Sequence, residues 1–162
     1  MSPQAFQIVP ARTSADYQEA IRLFGAYAGT LSVDLSFQGF EDELENMPGE
    51  YAPPKGELLL ARTLDGEAIG CVALRPLPAE PGLCEMKRLY VARKGRRLGA
   101  GKGLVEAILK VAVSAGYTEM RLDTLPSMAA ALALYAEAGF ARIKPYYNSP
   151  IAGAVFLARK LP

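Results

Sequence analysis

CEMKRLYVARKGRRLGAGKGLVEAILKVAVSAGYTEMRLDT, residues 84–124, is the stretch on which the fold turns. Its opening, Cys84 to Val91, is a short apolar and aromatic run that predicts a strand, with Glu85, Lys87, Leu89 and Val91 on one face and Met86, Arg88 and Tyr90 on the other. The glycine-rich and basic run from Arg93 to Gly103 then opens a helix. Leu104, Ile108, Val111 and Ala112 recur along it at helical spacing, and Gly116 is placed to terminate it. Thr118 to Thr124 returns as a strand. A strand, a helix and a second strand in this order predict a crossover that sets two strands parallel.

Outward from that unit the chain alternates periodic segments with Pro and Gly punctuation. On the N-terminal side, Phe6 to Pro10 reads as a short strand. Ser14 or Asp16 can cap a helix running to about Tyr27, with Tyr17, Ala20, Ile21 and Phe24 at helical spacing, and a weaker helix covers Phe40 to Met47. The run MPGEYAPPKGE, residues 47–57, reads as a loop and a candidate rim of an active site. Strands are expected at Glu57–Thr63 and Ala68–Leu74, joined by a tight turn at Asp65-Gly66. Beyond residue 124, Pro126 suits the first turn of another helix carrying Leu132, Tyr135 and Ala136 and ended by Gly139, and Ile151 to Arg159 supplies a last strand. The expected architecture is one mixed α/β domain over residues 1–162: a mostly antiparallel sheet of six to seven strands flanked by about four helices.

Composition narrows the function. Eighteen Lys and Arg balance seventeen Asp and Glu, so no global field draws the chain to nucleic acid or an anionic membrane. The N-terminus lacks a basic segment followed by an apolar one, and Leu104–Ala115, interrupted by Glu106 and Lys110, falls short of the ~20 residues that span a bilayer. Cys71 and Cys84, both in apolar strand-like segments, read as reduced core residues, which suits the cytoplasm. No metal site is expected.

The chemistry concentrates at residues 96–103. Closely spaced glycines let the backbone approach a ligand, and the first turn of the following helix leaves unpaired N–H groups and a dipole that favour a pyrophosphate. Two other phosphate motifs fail. The Walker pattern needs a Gly five residues before Gly101 and a Ser or Thr after Lys102, where Arg96 and Gly103 stand. The dinucleotide fingerprint, counted from Gly99, would place its third glycine at Leu104.

Arg96-x-x-Gly99-x-Gly101, between a strand and a helix, resembles the (Q/R)xxGx(G/A) acyl-CoA loop of the GNAT N-acetyltransferases, and Leu134-Tyr135 with Gly139-Phe140 resembles that family's LYxxxGF element. The resemblance covers roughly residues 58 to 160. It implies a sheet splayed at the strand before the loop, where Leu89, Tyr90 and Val91 offer backbone to the pantetheine arm. It also implies that the loop Arg96, Arg97, Leu98, Gly99, Ala100, Gly101, Lys102 and Gly103 holds the pyrophosphate of acetyl-CoA, with Arg96, Arg97 and Lys102 as candidate counter-charges. The family often carries Asn seven residues before the Tyr; Met128 stands there, beside Ser127.

Transfer to an amine needs the neutral amine, and an ammonium with a Lys-like pKa of ~10.4 lies ~4.6 kcal/mol from it at pH 7. The chain has no His. Glu85, six residues before Val91, stands where several similar enzymes place a catalytic Glu and is the candidate base, directly or through water; an ion pair with Lys87 or a neighbouring strand is its other reading. By the resemblance Tyr135 is the general acid for the thiolate, the backbone N–H groups near Val91 polarise the thioester carbonyl, and the amine attacks directly, since Cys84 has no activating partner. The acceptor walls fall to the N-terminal helices, the Pro-rich loop and the segment before the last strand. Glu41–Glu45 reads as an attractor of cations or a solvated helix face; Tyr146, Tyr147 and Asn148 as an acceptor wall or a contact with a second copy. The alternatives to an acetyl-CoA-dependent N-acetyltransferase are a silent acyl-CoA sensor and an O-acyltransferase.

Overall fold

A computed structural model of the chain describes residues 5–31 and 34–162; residues 1–4 of the N-terminal stretch lie outside it. Seven strands form one sheet in the order β1-β2-β3-β4-β5-β7-β6. They are β1 (Phe6–Pro10), β2 (Glu57–Thr63), β3 (Ala68–Pro76), β4 (Leu83–Val91), β5 (Glu119–Thr124), β6 (Ala141–Arg142) and β7 (Val155–Lys160). The helices are α1 (Ser14–Thr30), α2 (Phe40–Glu45), α3 (Arg93–Arg96), α4 (Ala100–Ser114) and α5 (Ala129–Glu137). Every pairing is antiparallel except β4 with β5, the crossover pair expected from residues 84–124. The mixed, mostly antiparallel α/β sheet is thus as read from the sequence.

Helices α4 and α5 cover one face, where Leu104, Ile108 and Ala112 pack with Leu74, Met86, Met120 and Leu122. Helix α1 covers the other, placing Ala20, Leu23 and Phe24 against Leu58, Leu60 and Cys71. These stripes bury apolar side chains at both helical and strand periods, which is what holds the layers together.

The sheet opens at its parallel pair. Only Leu83, Cys84 and Glu85 find partners on β5, opposite Glu119, Met120 and Arg121. Beyond them β4 stays with β3, while β5 remains paired with β7 through Thr124. The splay predicted at the central pair is therefore present.

One expectation about β4 is corrected. Strict alternation put Glu85 and Lys87 on the face of Leu89 and Val91, but Met86 shares the α4 core with Leu89 and Val91, and Tyr90 turns to the α1 side. Ala73 pairs with Lys87 and Cys71 with Tyr90, so three steps along β4 oppose two along β3. This bulge adds one residue and inverts the parity downstream. Arg88 carries it in a left-handed conformation, φ 61°, which strains a residue with a Cβ. Its guanidinium bonds both carboxylate oxygens of Glu43 at 3.0 Å and lies 5.2 Å over the Phe40 ring, so α2 holds the strained residue in place.

Several boundaries also move. Thr13, rather than Ser14 or Asp16, caps α1: its hydroxyl accepts from the Asp16 N–H while Asp16 closes the reciprocal box onto the Thr13 N–H. Helix α1 runs on to Thr30, and α2 stops at Glu45. Pro126 precedes α5, which begins at Ala129. Residues 151–154 form turns, so the last strand starts only at Val155, and the two-residue β6 was not anticipated. Arg93–Arg96 is a helical turn, and Ala100 to Gly103 already belong to α4.

The Pro-rich segment contains a 3-10 turn, Gly49–Tyr51, that buries Tyr51 against Phe24, their rings crossing at 85°. A Cβ on Gly56 would collide with the backbone carbonyl of Glu50 and stand 2.7 Å from Tyr51 Cα. Gly56→Ala is expected to destabilise the protein by ~1–3 kcal/mol, read as a lowered melting temperature, because backbone must move to admit the methyl group.

Candidate active site

The divergence of β4 from β5 leaves a cleft walled by Met86, Lys87 and Leu89 of β4, Asp123 and Thr124 of β5, and Tyr135 of α5, with Tyr27 of α1 closing one side. At the far end of β4 the chain turns through α3 to Gly99, φ 80°, which precedes α4 without a side-chain cap. The first helical bond there runs from Gly103 N–H to Gly99 C=O. The N–H groups of Ala100, Gly101 and Lys102 are consequently left for a ligand, and the helix dipole adds positive potential.

The glycines serve different ends. Gly99 supplies the left-handed turn. A Cβ on Gly101 would stand 3.0 Å from Leu134 Cδ1, and one on Gly103 would stand 3.1 Å from the Phe6 ring. Those two glycines admit α5 and β1 against α4, so a bulky residue at Gly101 meets α5 packing. Leu134 and Val91 both border Gly101, which places the start of α4 beside the cleft's Tyr135 helix and the end of β4.

The basic residues of the loop are exposed. Arg96 Nε donates to Val91 O at 3.1 Å, occupying a carbonyl at the end of β4. Lys102 pairs with Glu137 of α5 at 3.3 Å, both largely exposed, a contact of small energetic weight. Arg97 has no hydrogen-bond or ion-pair partner among the described residues and is available to an anion. Leu98 is exposed and Ala100 is buried under the sheet.

Glu85 is sealed, with 1% of its surface exposed. Oε1 accepts from Arg75 Nε at 2.8 Å, Oε2 accepts from the Tyr146 hydroxyl at 2.6 Å, and Lys87 Nζ lies 3.9 Å away. Arg75 is its register partner on β3 and also bonds Glu50 at 2.8 Å. The ion-pair reading of Glu85, with a neighbouring strand, therefore describes contacts the carboxylate makes, and Glu85 is absent from the cleft wall.

Tyr135 does reach the cleft. Its ring packs edge-on against Phe140 at 5.9 Å, and burial pushes its phenol well above the usual range, so it remains a proton donor across any ordinary assay pH. Tyr146 and Tyr147 come from the 143–154 connection, their rings stacked edge-on with each other and with Phe156. Tyr147 donates to Asp123 Oδ2 at 2.6 Å. Burial followed by the neighbouring carboxylate raises both phenols, most strongly Tyr146.

Lys87 is lowered to about 8 by burial and by the charge of Arg88, against the pull of Glu85. An unfolded Lys titrates near ~10.4, so between the two values the unfolded chain binds more protons and stability rises with pH. The cost of burying the charged ammonium is complete below pH 8 and relieved above it. Lys87→Met is expected to flatten the stability profile between about pH 8 and 10, measured by denaturant midpoints.

Sequence reasoning missed Arg75, Asp123 and the Arg88–Glu43 clamp. Asp123 had a signal: Met120 and Leu122 are apolar, so Glu119, Arg121 and Asp123 fall on the opposite, polar face. Burial pushes the Cys84 thiol up to about 12 and Cys71 further, and both are free, which fits inert core residues. Among the described residues no cluster suited to a metal occurs, and no helix is long and apolar enough to cross a membrane.

The Acetyltransferase (GNAT) family description matches residues 17–140. The chain is 40% identical over 157 residues to an uncharacterized N-acetyltransferase of Schizosaccharomyces pombe, spanning 97% of this chain and 96% of that protein. An uncharacterized N-acetyltransferase of Dictyostelium discoideum is 28% identical across 86% of this chain and 92% of its own. The crystal structure of a GNAT-family acetyltransferase from Staphylococcus aureus superimposes with a TM-score of 0.80 at 21% identity, covering 98% of this chain and all of that one, which establishes the shared fold. With the splayed sheet and the uncapped α4 turn in place, these matches mean that the chain belongs to the GNAT acetyltransferase family.

Proposed function

We propose that the chain is a single-domain N-acetyltransferase that moves the acetyl group of acetyl-CoA directly to a primary amine of a small molecule or peptide. The observation that carries this reading is the cleft itself: an open seam between β4 and β5 with the Tyr135 phenol on its wall and the uncapped start of α4 beside it. The exposed N–H groups and Arg97 fit an anionic pyrophosphate. The end of β4 at Leu89, Tyr90 and Val91, which has no strand partner on the β5 side, fits an amide-bearing arm that would compete with Arg96 for the Val91 carbonyl.

Acetyl-CoA supplies the thioester. The amine nitrogen forms the new C–N bond as the C–S bond breaks. Tyr135 donates its phenolic proton to the departing sulfur, and backbone N–H near Val91 steadies the carbonyl oxygen. The amine's proton passes to Glu85 through the Tyr146 hydroxyl or a water, since both Glu85 oxygens are already engaged. The two buried free thiols suit a reducing, cytoplasmic setting. The sealing of Glu85 also favours a second reading, an acyl-CoA-binding module without turnover.

Calorimetric titration with acetyl-CoA, with ATP as control, separates these. Micromolar-range binding selective for the CoA ligand, followed by amine-dependent thiol release, is the expected result. Binding without release with any amine supports the silent module, release with alcohols alone supports O-acylation, and no binding by folded protein withdraws the reading.

A further inference from the structure

We infer that Asp123 is the residue that receives the acceptor's ammonium group, with Tyr147 as its positioning residue, and that the enzyme selects cationic primary amines. The inference rests on the amine-acceptor reading above and adds the residue that meets the amine. Two carboxylates, Glu85 and Asp123, lie on the polar face of the splay, each bonded by one phenol of the 143–154 connection. Their surroundings differ. Glu85 is enclosed by Arg75, Tyr146 and Lys87 and does not border the cleft. Asp123 borders the cleft together with Tyr135 and Lys87, whose ammonium it also attracts, and it is the carboxylate among that cleft's described lining residues.

Tyr147 engages Asp123 Oδ2, and Oδ1 takes no hydrogen bond among the described residues. Asp123 is the penultimate residue of β5 and pairs with Phe156 of β7, held by sheet backbone on that side while β4 has already diverged on the other. A carboxylate on the cleft wall is thus held by a rigid strand, with one oxygen pinned by Tyr147. An alkylammonium is a compact donor that matches one carboxylate oxygen. Once held, it passes one proton toward Glu85 through the Tyr146 hydroxyl or a water so that the freed lone pair can attack, and the proton left on nitrogen replaces the one Tyr135 gives the sulfur. A neutral arylamine gains nothing from that charge.

The test compares n-butylamine, a cation at pH 8, with aniline, which is neutral, as acceptors for the full chain with acetyl-CoA, following thiol release. Asp123→Asn is expected to raise the KM for n-butylamine at least about tenfold with aniline unaffected, and to leave the calorimetric affinity for acetyl-CoA unchanged. Tyr147→Phe should raise the same KM severalfold without altering the aniline rate, which general loss of structure would not do, and Asp123→Glu should recover part of the n-butylamine specificity. An unchanged n-butylamine KM in folded Asp123→Asn, or equal losses for both amines, overturns the inference while leaving the amine reading intact. Acetyl-CoA binding without thiol release to either amine in the unsubstituted protein counts against the amine reading and removes the inference with it.

Discussion

Tyr135→Phe is expected to reduce turnover by about 10²-fold or more while acetyl-CoA affinity stays within about twofold. The separation follows from what the phenol touches. Its ring packs on Phe140 and lines the cleft, contacts a phenylalanine ring keeps, whereas the hydroxyl has no hydrogen-bond partner among the described residues whose loss would disturb the fold. Burial holds its proton well above the ordinary phenol range, so the alkaline limb of a pH–rate profile belongs to other groups and the variant's profile should keep its shape. Single-turnover measurements of thiol release beside calorimetry of acetyl-CoA check both halves. Retained turnover would remove Tyr135 from the acid role.

Glu85→Gln is expected to lower turnover by about 10–10²-fold and to alter the rise of rate with pH, with the fold kept. The amide is nearly isosteric. Its carbonyl oxygen can still accept from Arg75, and its NH₂ can donate to the Tyr146 hydroxyl by a turn of the phenolic proton, so no buried polar atom is stranded. What is lost is the capacity to hold a proton and the charge opposing Arg75 and Lys87. Rates from pH 6 to 10 with a primary amine test it. An unmoved profile places the base elsewhere, and a loss confined to Asp123→Asn would point to the carboxylate on the cleft wall.

Both substitutions fall on residues found by motif and spacing, but the sequence was legible to different depths around them. The strand of residues 84–91, the helix carrying Leu104, Ile108 and Ala112 and the return strand could be read because each is a local pattern of alternation, helical spacing or a terminating glycine. The small departures were local too. A Thr cap one residue before Ser14 and a strand beginning at Val155 rather than Ile151 reflect hydrogen-bond choices between equally suited neighbours. The faces of β4 were not legible. Arg88 gives no glycine signal for a left-handed turn, and its bulge is stabilised by Glu43, distant in sequence. Nor could spacing reveal that Gly101 and Gly103 make room for Leu134 and Phe6, since both contacts come from separate elements.

The sequence by itself determined the parallel crossover and the glycine-rich entry to the helix within it, because backbone sterics and periodicity act between near neighbours, while Tyr135 was singled out by the resemblance of its motif. Tertiary structure alone decided which carboxylate meets the cleft. Glu85 and Asp123 are both acidic residues in strands, and only the early parting of β4 from β5, the Arg75 charge from β3 and the two phenols of the 143–154 connection distinguish them. Charge and hydrogen bonding depend on distance in space, and those distances are set by packing between elements far apart in the chain.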